Sequence, residues 1–296
     1  MWTRTSLTTE QRKKEKNGPA FSAGRKMMIG RKKNSKLRIL ILSLCILTLL
    51  SGCAGGNGGG SGEIFEDMQA AYDRSGLMSS NIGIVSKTVT GDSVSYGEFG
   101  SGVIVGKEDG AYYALTAAHV VSGEGVQLLV FTVNTEMAGE EIPGYDVPVL
   151  LTETYESMLP AETVFVSGRD DLAVIRFRTE EELAVVPIAA SDPAKGDRIM
   201  CIGNPQSEWF AVSYGTVLSD TEKFGESTGF PSNAMRHSAF MDSGSSGGAA
   251  VNERMELAGI TPGGSYTPGS GKFRYGVLIP AGEIRLCLEE WKDSVL

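Results

Sequence analysis

From residue 81 onward the chain alternates short apolar segments with turns of Gly, Asp and Pro. The apolar segments, at 82–85, 102–105, 112–116, 126–132, 147–151, 172–177, 198–202, 210–217, 235–240, 257–261 and 274–279, are rich in Val, Ile, Thr and Tyr. Many short strands at this spacing predict an all-β sandwich or barrel rather than βαβ units. Glu108-Asp109-Gly110 sits where a hairpin needs a turn. Helical spacing occurs at the two ends of this region only. Residues 63–73 put Phe65, Met68 and Tyr72 on one face, which predicts a short helix ahead of the strands. After Pro280, Ile284, Cys287, Leu288 and Trp291 follow i, i+3, i+4, i+7, which predicts a terminal helix with one face packed on the body. Glu180-Glu181-Glu182, expected to be a solvated surface, and residues 187–195 read as a connection between two halves. There is no internal repeat.

Charge separates a head from this body. Of 27 Lys+Arg, 12 fall in residues 1–52 with 2 of the 36 Asp+Glu, so residues 53–296 carry 15 basic and 34 acidic residues, a net of −19. So acidic a body excludes nucleic acid as a partner, and the basic head reads as targeting. A basic run precedes the apolar stretch 39–50, too short to cross a bilayer comfortably but suited to a signal peptide. Leu50-Ser51-Gly52-Cys53 resembles the bacterial lipobox, which implies lipidation at Cys53 and a membrane anchor on the outer face. Residues 54–62, nearly all Gly, Ser and Asn, suit a flexible tether. A start at Met27 or Met28 gives the more usual short basic head. With Cys45 in the leader and Cys53 lipidated, Cys201 and Cys287 either pair or stay as buried free thiols. His119 and His237 are the only histidines and no cysteines have zinc spacing, so neither metal nor cofactor is expected.

Three segments carry candidate chemistry. Asp242-Ser-Gly-Ser-Ser-Gly-Gly-Ala-Ala250 has no helical or strand period. Alone it is an ordinary flexible Ser/Gly turn, yet such a loop can also present a serine nucleophile beside converging amides. His119, in Leu115-Thr-Ala-Ala-His-Val-Val121, ends an apolar strand, where a lone histidine is more often structural. Asp171, in Arg169-Asp-Asp-Leu-Ala-Val-Ile-Arg-Phe177, stands where a half-buried carboxylate can orient an imidazole or merely cap a strand.

Together, in the order His, Asp, Ser, these segments resemble the trypsin-like serine proteases, and more closely their HtrA (Deg) branch. TAAHVV, DLAVI and GxSGG match the family's motifs. Gly100-Ser-Gly-Val-Ile-Val105, Gly203-Asn-Pro205, Gly215-Thr-Val-Leu-Ser219, Ala258-Gly-Ile-Thr261 and Tyr275-Gly-Val-Leu-Ile-Pro280 match its flanking segments, so the resemblance covers residues 81–280. It implies a chymotrypsin-like double β-barrel: a head to residue 53, tether and short helix over 54–80, a first barrel over 81–185, and a second barrel with the C-terminal helix over 186–296.

The resemblance also assigns roles. Ser246 is the nucleophile, His119 the base, Asp171 the residue that orients it, and the amides of Gly244 and Ser246 form the oxyanion hole. Ser243 and Ser245 lack the flanking glycines of Ser246. Asp170 does not abut the LAV run, and His237, nine residues before Ser246, reads as a wall or core residue. Ser245 stands where digestive proteases carry the Asp that pairs with a freshly cut N-terminus, so activation by propeptide cleavage is not expected. Phe240 and Met241, with Ile260 and Thr261, imply an apolar specificity pocket that takes small or medium aliphatic residues. Ala249 replaces the family's usual Pro. Sixteen residues follow Pro280, which leaves no room for the PDZ domain usual in this branch. The expected partners are polypeptide substrates, the membrane, and in a homo-oligomer a second copy through the barrel surface or N-terminal helix. The competing reading is a silent or gated binding module at the membrane; an esterase would ordinarily carry a GxSxG elbow on another fold.

Overall fold

The computed structural model describes residues 61–295, apart from residue 124 and residues 141–148, 206–207 and 226–227. The basic head, the apolar stretch 39–50, Cys53 and the tether up to residue 60 lie outside the described residues.

Helix α1 (Ser61–Ser75) buries Met68 and Tyr72, one turn apart, and ends at Gly76, whose φ of 72° breaks the helix without a Cβ penalty. The first barrel follows: β1 (Asn81–Thr90), β2 (Ser93–Glu108), β3 (Ala111–Thr116) and β4 (Val126–Phe131), then a ribbon of β5 (Gly139–Glu140) and β6 (Val149–Leu150), helix α2 (Thr152–Ser157), β7 (Leu159–Val166) and β8 (Ala173–Arg178). Six of these strands close in the order β1-β2-β3-β8-β7-β4, because β1 pairs with both β2 and β4. Register shifts at Val85/Ser86 and Ile104/Gly106 bend the long strands far enough to close. Asp109 and Gly110, at φ 49° and 74°, make the expected tight hairpin between β2 and β3. Inward-facing Ile82, Ile84, Ile104, Val130, Ile175 and Phe177 fill the barrel.

The second half comprises β9 (Arg198–Gly203), β10 (Ala211–Thr216), β11 (Glu222–Lys223), β12 (Asn233–His237), β13 (Gly248–Val251), β14 (Leu257–Tyr266) and β15 (Phe273–Pro280), followed by α3 (Ala281–Ser294). They form a seven-stranded sheet in the order β10-β9-β13-β14-β15-β12-β11. Its ends approach through the Val217–His237 bridge and the bonds Leu218 N–H to Arg236 O (2.7 Å) and Ser238 N–H to Thr216 O (3.0 Å), which makes a half-barrel. The architecture is the expected mostly-β, chymotrypsin-like double barrel with a short helix at each end. One apolar cluster joins the halves. It takes Val103, Leu115 and Val174 from the first, Met200, Ile202 and Ile260 from the second, Tyr72 from α1, and Ile284 from α3.

Several elements differ from the sequence pattern. Strand β7 carries Pro160 and alternates weakly, and α2 was hidden in a run of Thr, Glu and Ser. Strand β13 lies inside the Ser/Gly stretch: Gly248, Ala249, Ala250 and Val251 are all buried, and such small residues show no period. The segment expected over 210–217 starts at Ala211 because Phe210 sits at φ 56°, and the one expected over 235–240 stops at His237. The acidic triplet is not wholly solvated, since Glu181 accepts hydrogen bonds from Thr132 Oγ1 and Asn134 Nδ2, each at 2.8 Å. Cys201 and Cys287 are buried free thiols, and burial pushes each up to about 12.

Candidate active site

Pairing of β3 with β8 runs to Thr116–Ala173, so the chain leaving β3 and the chain entering β8 lie side by side at one end of the first barrel. A single 3₁₀ turn, Ala118–Val120, follows β3 and carries His119. Asp171 holds that turn at three points. Its carbonyl accepts from Ala118 N–H at 3.2 Å, its Oδ1 from His119 N–H at 2.9 Å, and its Oδ2 meets His119 Nδ1 at 2.6 Å. A carboxylate on Nδ1 selects the tautomer protonated there and leaves Nε2 as the basic nitrogen. Gly100 completes the support: a Cβ there would lie 2.4 Å from Val120 Cγ1, so only glycine lets the turn pack this closely on β2. The His119 side chain is half exposed and that of Asp171 about one-fifth. Asp170 takes another course. Its side chain is fully buried and meets Arg169 Nε at 2.9 Å, and Arg169 also reaches Glu283 and Glu290 of α3 at 3.6 and 3.4 Å.

Ser246 sits on the loop that enters β13. Ser245 N–H donates to Asp242 O at 3.0 Å, Gly247 N–H to Thr261 O at 2.8 Å, and Gly248 N–H to Ser245 O at 3.0 Å. Gly244 and Gly247, at φ 97° and 85°, make the sharp turns. A Cβ on Gly247 would lie 2.2 Å from Ser101 O and 2.8 Å from Ala117 N, so this glycine seats Ser246 against the turn that carries His119. The Ser246 hydroxyl is within 3.0 Å of the Pro262 carbonyl. Ser243 is exposed, whereas Ser245 is buried, its Oγ accepting from Asp242 N–H at 3.3 Å. Among the described residues, the amides of Gly244 and Ser246 have no acceptor. Two such donors, separated by one residue at the end of a Gly-rich turn, suit a developing oxyanion.

Behind the loop, a cavity of about 190 Å³ is lined by Phe240, Met241, Asp242, Ser245 and Thr261 together with β9 and β10. Phe240 is half exposed and stacks edge-on against Phe273 at 5.2 Å, while Met241 is buried. Ile260 does not line this cavity; it is fully buried in the cluster between the halves. His237 is also fully buried, with Nε2 3.3 Å from Val277 O and its ring where a Cβ on Gly276 would be. Burial lowers its pKa to about 4, which keeps the ring neutral, and it sits away from Asp171 in the second core. Among the described residues, no group of three His, Cys, Asp or Glu could hold a metal. Sequence reasoning did not single out Ser101, Asn204 or Pro262, which meet the Ser246 loop or its neighbours. The only signals for the first two were the GSG and GNP segments.

Comparison with known proteins adds the family. Residues 100–260 match the model of the trypsin-like peptidase domain. The chain belongs to this family. Among its relatives is a probable serine protease do-like from Buchnera aphidicola, 29% identical over 187 residues, which are 63% of this chain and 34% of that protein. The periplasmic serine endoprotease DegP of Salmonella typhimurium is 27% identical over 66% of this chain and 36% of its own. The serine protease Do-like HtrA of Lactococcus lactis is 26% identical over 74% of this chain and 50% of its own. The chain thus spans between a third and a half of the length of these curated relatives. The matched stretch holds the turn with His119, the start of β8 with Asp171, and the Ser246 loop.

Proposed function

We propose that this chain is a serine endopeptidase of the HtrA type that cuts unfolded or exported polypeptides outside the cytoplasm. The observation that carries the reading is the double grip of Asp171 on His119, with the Ser246 loop seated on the same turn. In this reading Ser246 Oγ attacks the scissile carbonyl and His119 Nε2 takes its proton. Asp171 stabilises the imidazolium, and the Gly244 and Ser246 amides receive the oxyanion, each worth about 3–4 kcal/mol. His119 then protonates the leaving amine, and water releases the acyl group by the same steps in reverse. The periplasmic relatives support an extracytoplasmic site of action. Half-exposed Phe240 and buried Met241 favour cleavage after small or medium aliphatic residues. Cys53 would carry the lipid that holds the enzyme on the membrane.

A fluorophosphonate probe tests the chemistry. It is expected to label the folded full chain and to fail with Ser246→Ala and His119→Ala. Absence of labelling in the wild type would favour the silent binding module instead. A peptide library cut mainly after Lys or Arg would overturn the pocket assignment. Incorporation of labelled palmitate that survives Cys53→Ser would overturn the anchor.

A further inference from the structure

We infer that Ser101 and Asn204 are positioning residues that aim the oxyanion-hole amide of Gly244; the inference rests on the triad reading above. Each peptide plane of the 243–247 loop can be followed to its restraints. The 244–245 plane is tied by Ser245 N–H to Asp242 O (3.0 Å) and by Gly244 O to Ser101 Oγ (2.8 Å). The 245–246 plane is tied through Ser245 O to Gly248 N–H (3.0 Å), and the 246–247 plane by Ser101 N–H to Ser246 O and Gly247 N–H to Thr261 O, both 2.8 Å. The 243–244 plane, which carries the Gly244 N–H, has no hydrogen bond at either end among the described residues. Its direction therefore depends on the neighbouring plane across Gly244, a residue whose backbone resists rotation least. The restraint next to it is the Ser101 hydroxyl.

That hydroxyl has little choice of partner. A serine Oγ offers one proton and two lone pairs. Asn204 points two donors at it, its backbone N–H at 2.9 Å and its Nδ2 at 3.1 Å. The proton is left for Gly244 O. Asn204 itself cannot turn over, because its Oδ1 accepts from Phe210 N–H at 2.9 Å. Ser101 and Asn204 are each 1% exposed, so no water competes for these bonds. Thr116 Oγ1 holds the Ser101 carbonyl at 2.7 Å, which ties the brace to the strand leading to His119. Buried Ser245, uncharged, cannot offer the ion pair by which a carboxylate at that position would clamp the loop.

The test compares Ser101→Ala, Asn204→Asp and the double variant in the full chain, with the fluorophosphonate labelling rate and p-nitrophenyl acetate hydrolysis as readouts. Asn204→Asp replaces a donor by an acceptor in the same place and draws the Ser101 proton away from Gly244. Each single variant is expected to lower the labelling rate and kcat about 10- to 100-fold, up to the loss seen when an oxyanion donor is removed. KM should stay within about twofold, and the pH profile of Ser101→Ala should not move, since the His119–Asp171 pair is untouched. The double variant should be no slower than Ser101→Ala, because both changes break one chain of bonds. Should Ser101→Ala not fold, Asn204→Asp carries the test. Wild-type rates in folded single variants, additive losses, or a loss confined to KM would overturn the inference while Ser246→Ala still abolished labelling. Persistent labelling of Ser246→Ala would instead overturn the triad reading itself.

Discussion

On the first-barrel side of the cleft, one residue does most of the holding: Asp171 grips the His119 turn by its carbonyl and both carboxylate oxygens. On the second-barrel side no single residue does so. Ser246 rides a loop whose restraints are spread over Ser101, Asp242, Gly248 and Thr261, and two of the bonds come from the opposite barrel. A closed barrel with a continuous ladder between β3 and β8 can place two side chains at one end by register alone. A loop leading into a four-residue strand cannot, and it borrows rigidity from its neighbour. The His119 side of the candidate site is therefore a local product of one barrel, and the Ser246 side is a product of the interface.

Asp171→Asn should lower kcat about 10⁴-fold by favouring the wrong imidazole tautomer, with the fold intact by circular dichroism. Asp170→Asn, one residue away but turned toward Arg169, should leave kcat within about threefold. Equal losses would mean that the two carboxylates share the role. Next, Gly247→Ala should cost about 2–4 kcal/mol, since it adds positive-φ strain and a Cβ 2.2 Å from Ser101 O. Thermal unfolding measures that cost. A stable, fully active Gly247→Ala would show that the seat between the barrels is not needed.

A smaller effect concerns the far side of the Asp171 loop. Glu283 sits beside Asp170, Arg169 and Glu290, and burial followed by the Asp170 carboxylate raises its pKa from the ordinary carboxylate value. The unfolded chain therefore loses this proton first as pH rises. The native state binds more protons between the two pKa values, and stability falls across that window. Glu283→Gln should remove the loss, so its melting temperature should gain on the wild type as pH rises from about 4 toward 7. A gap that is constant with pH would refute the assignment. Smallest of all, thiol-alkylating reagents should leave Cys201 and Cys287 of the native protein unmodified, as peptide mapping would show, because both are buried and raised to about 12.

The fold was legible because short segments rich in Val, Ile, Thr and Tyr alternate with turns of Gly, Asp and Pro, and both terminal helices keep an apolar stripe. His119 and Asp171 were singled out only by the joint resemblance of three segments to the family's motifs, since each segment alone has an ordinary structural reading. What escaped was made of small or weakly patterned residues: β13 within the Ser/Gly stretch and β7 with its proline. The Ser101–Asn204 contact joins positions 103 residues apart, and nothing local in either segment announces it. The confinement of Ile260 to the core is of the same kind, since an apolar residue in a strand after the nucleophile can face a pocket or an interior.

The two imidazoles have a practical consequence. One ring is half open to solvent and the other is sealed behind Gly276. A reagent such as diethyl pyrocarbonate, which needs an accessible ring, should therefore modify the native protein once. With only two histidines in the chain, one imidazole adduct per molecule marks a folded preparation and two an unfolded one, without a substrate and without a mutation.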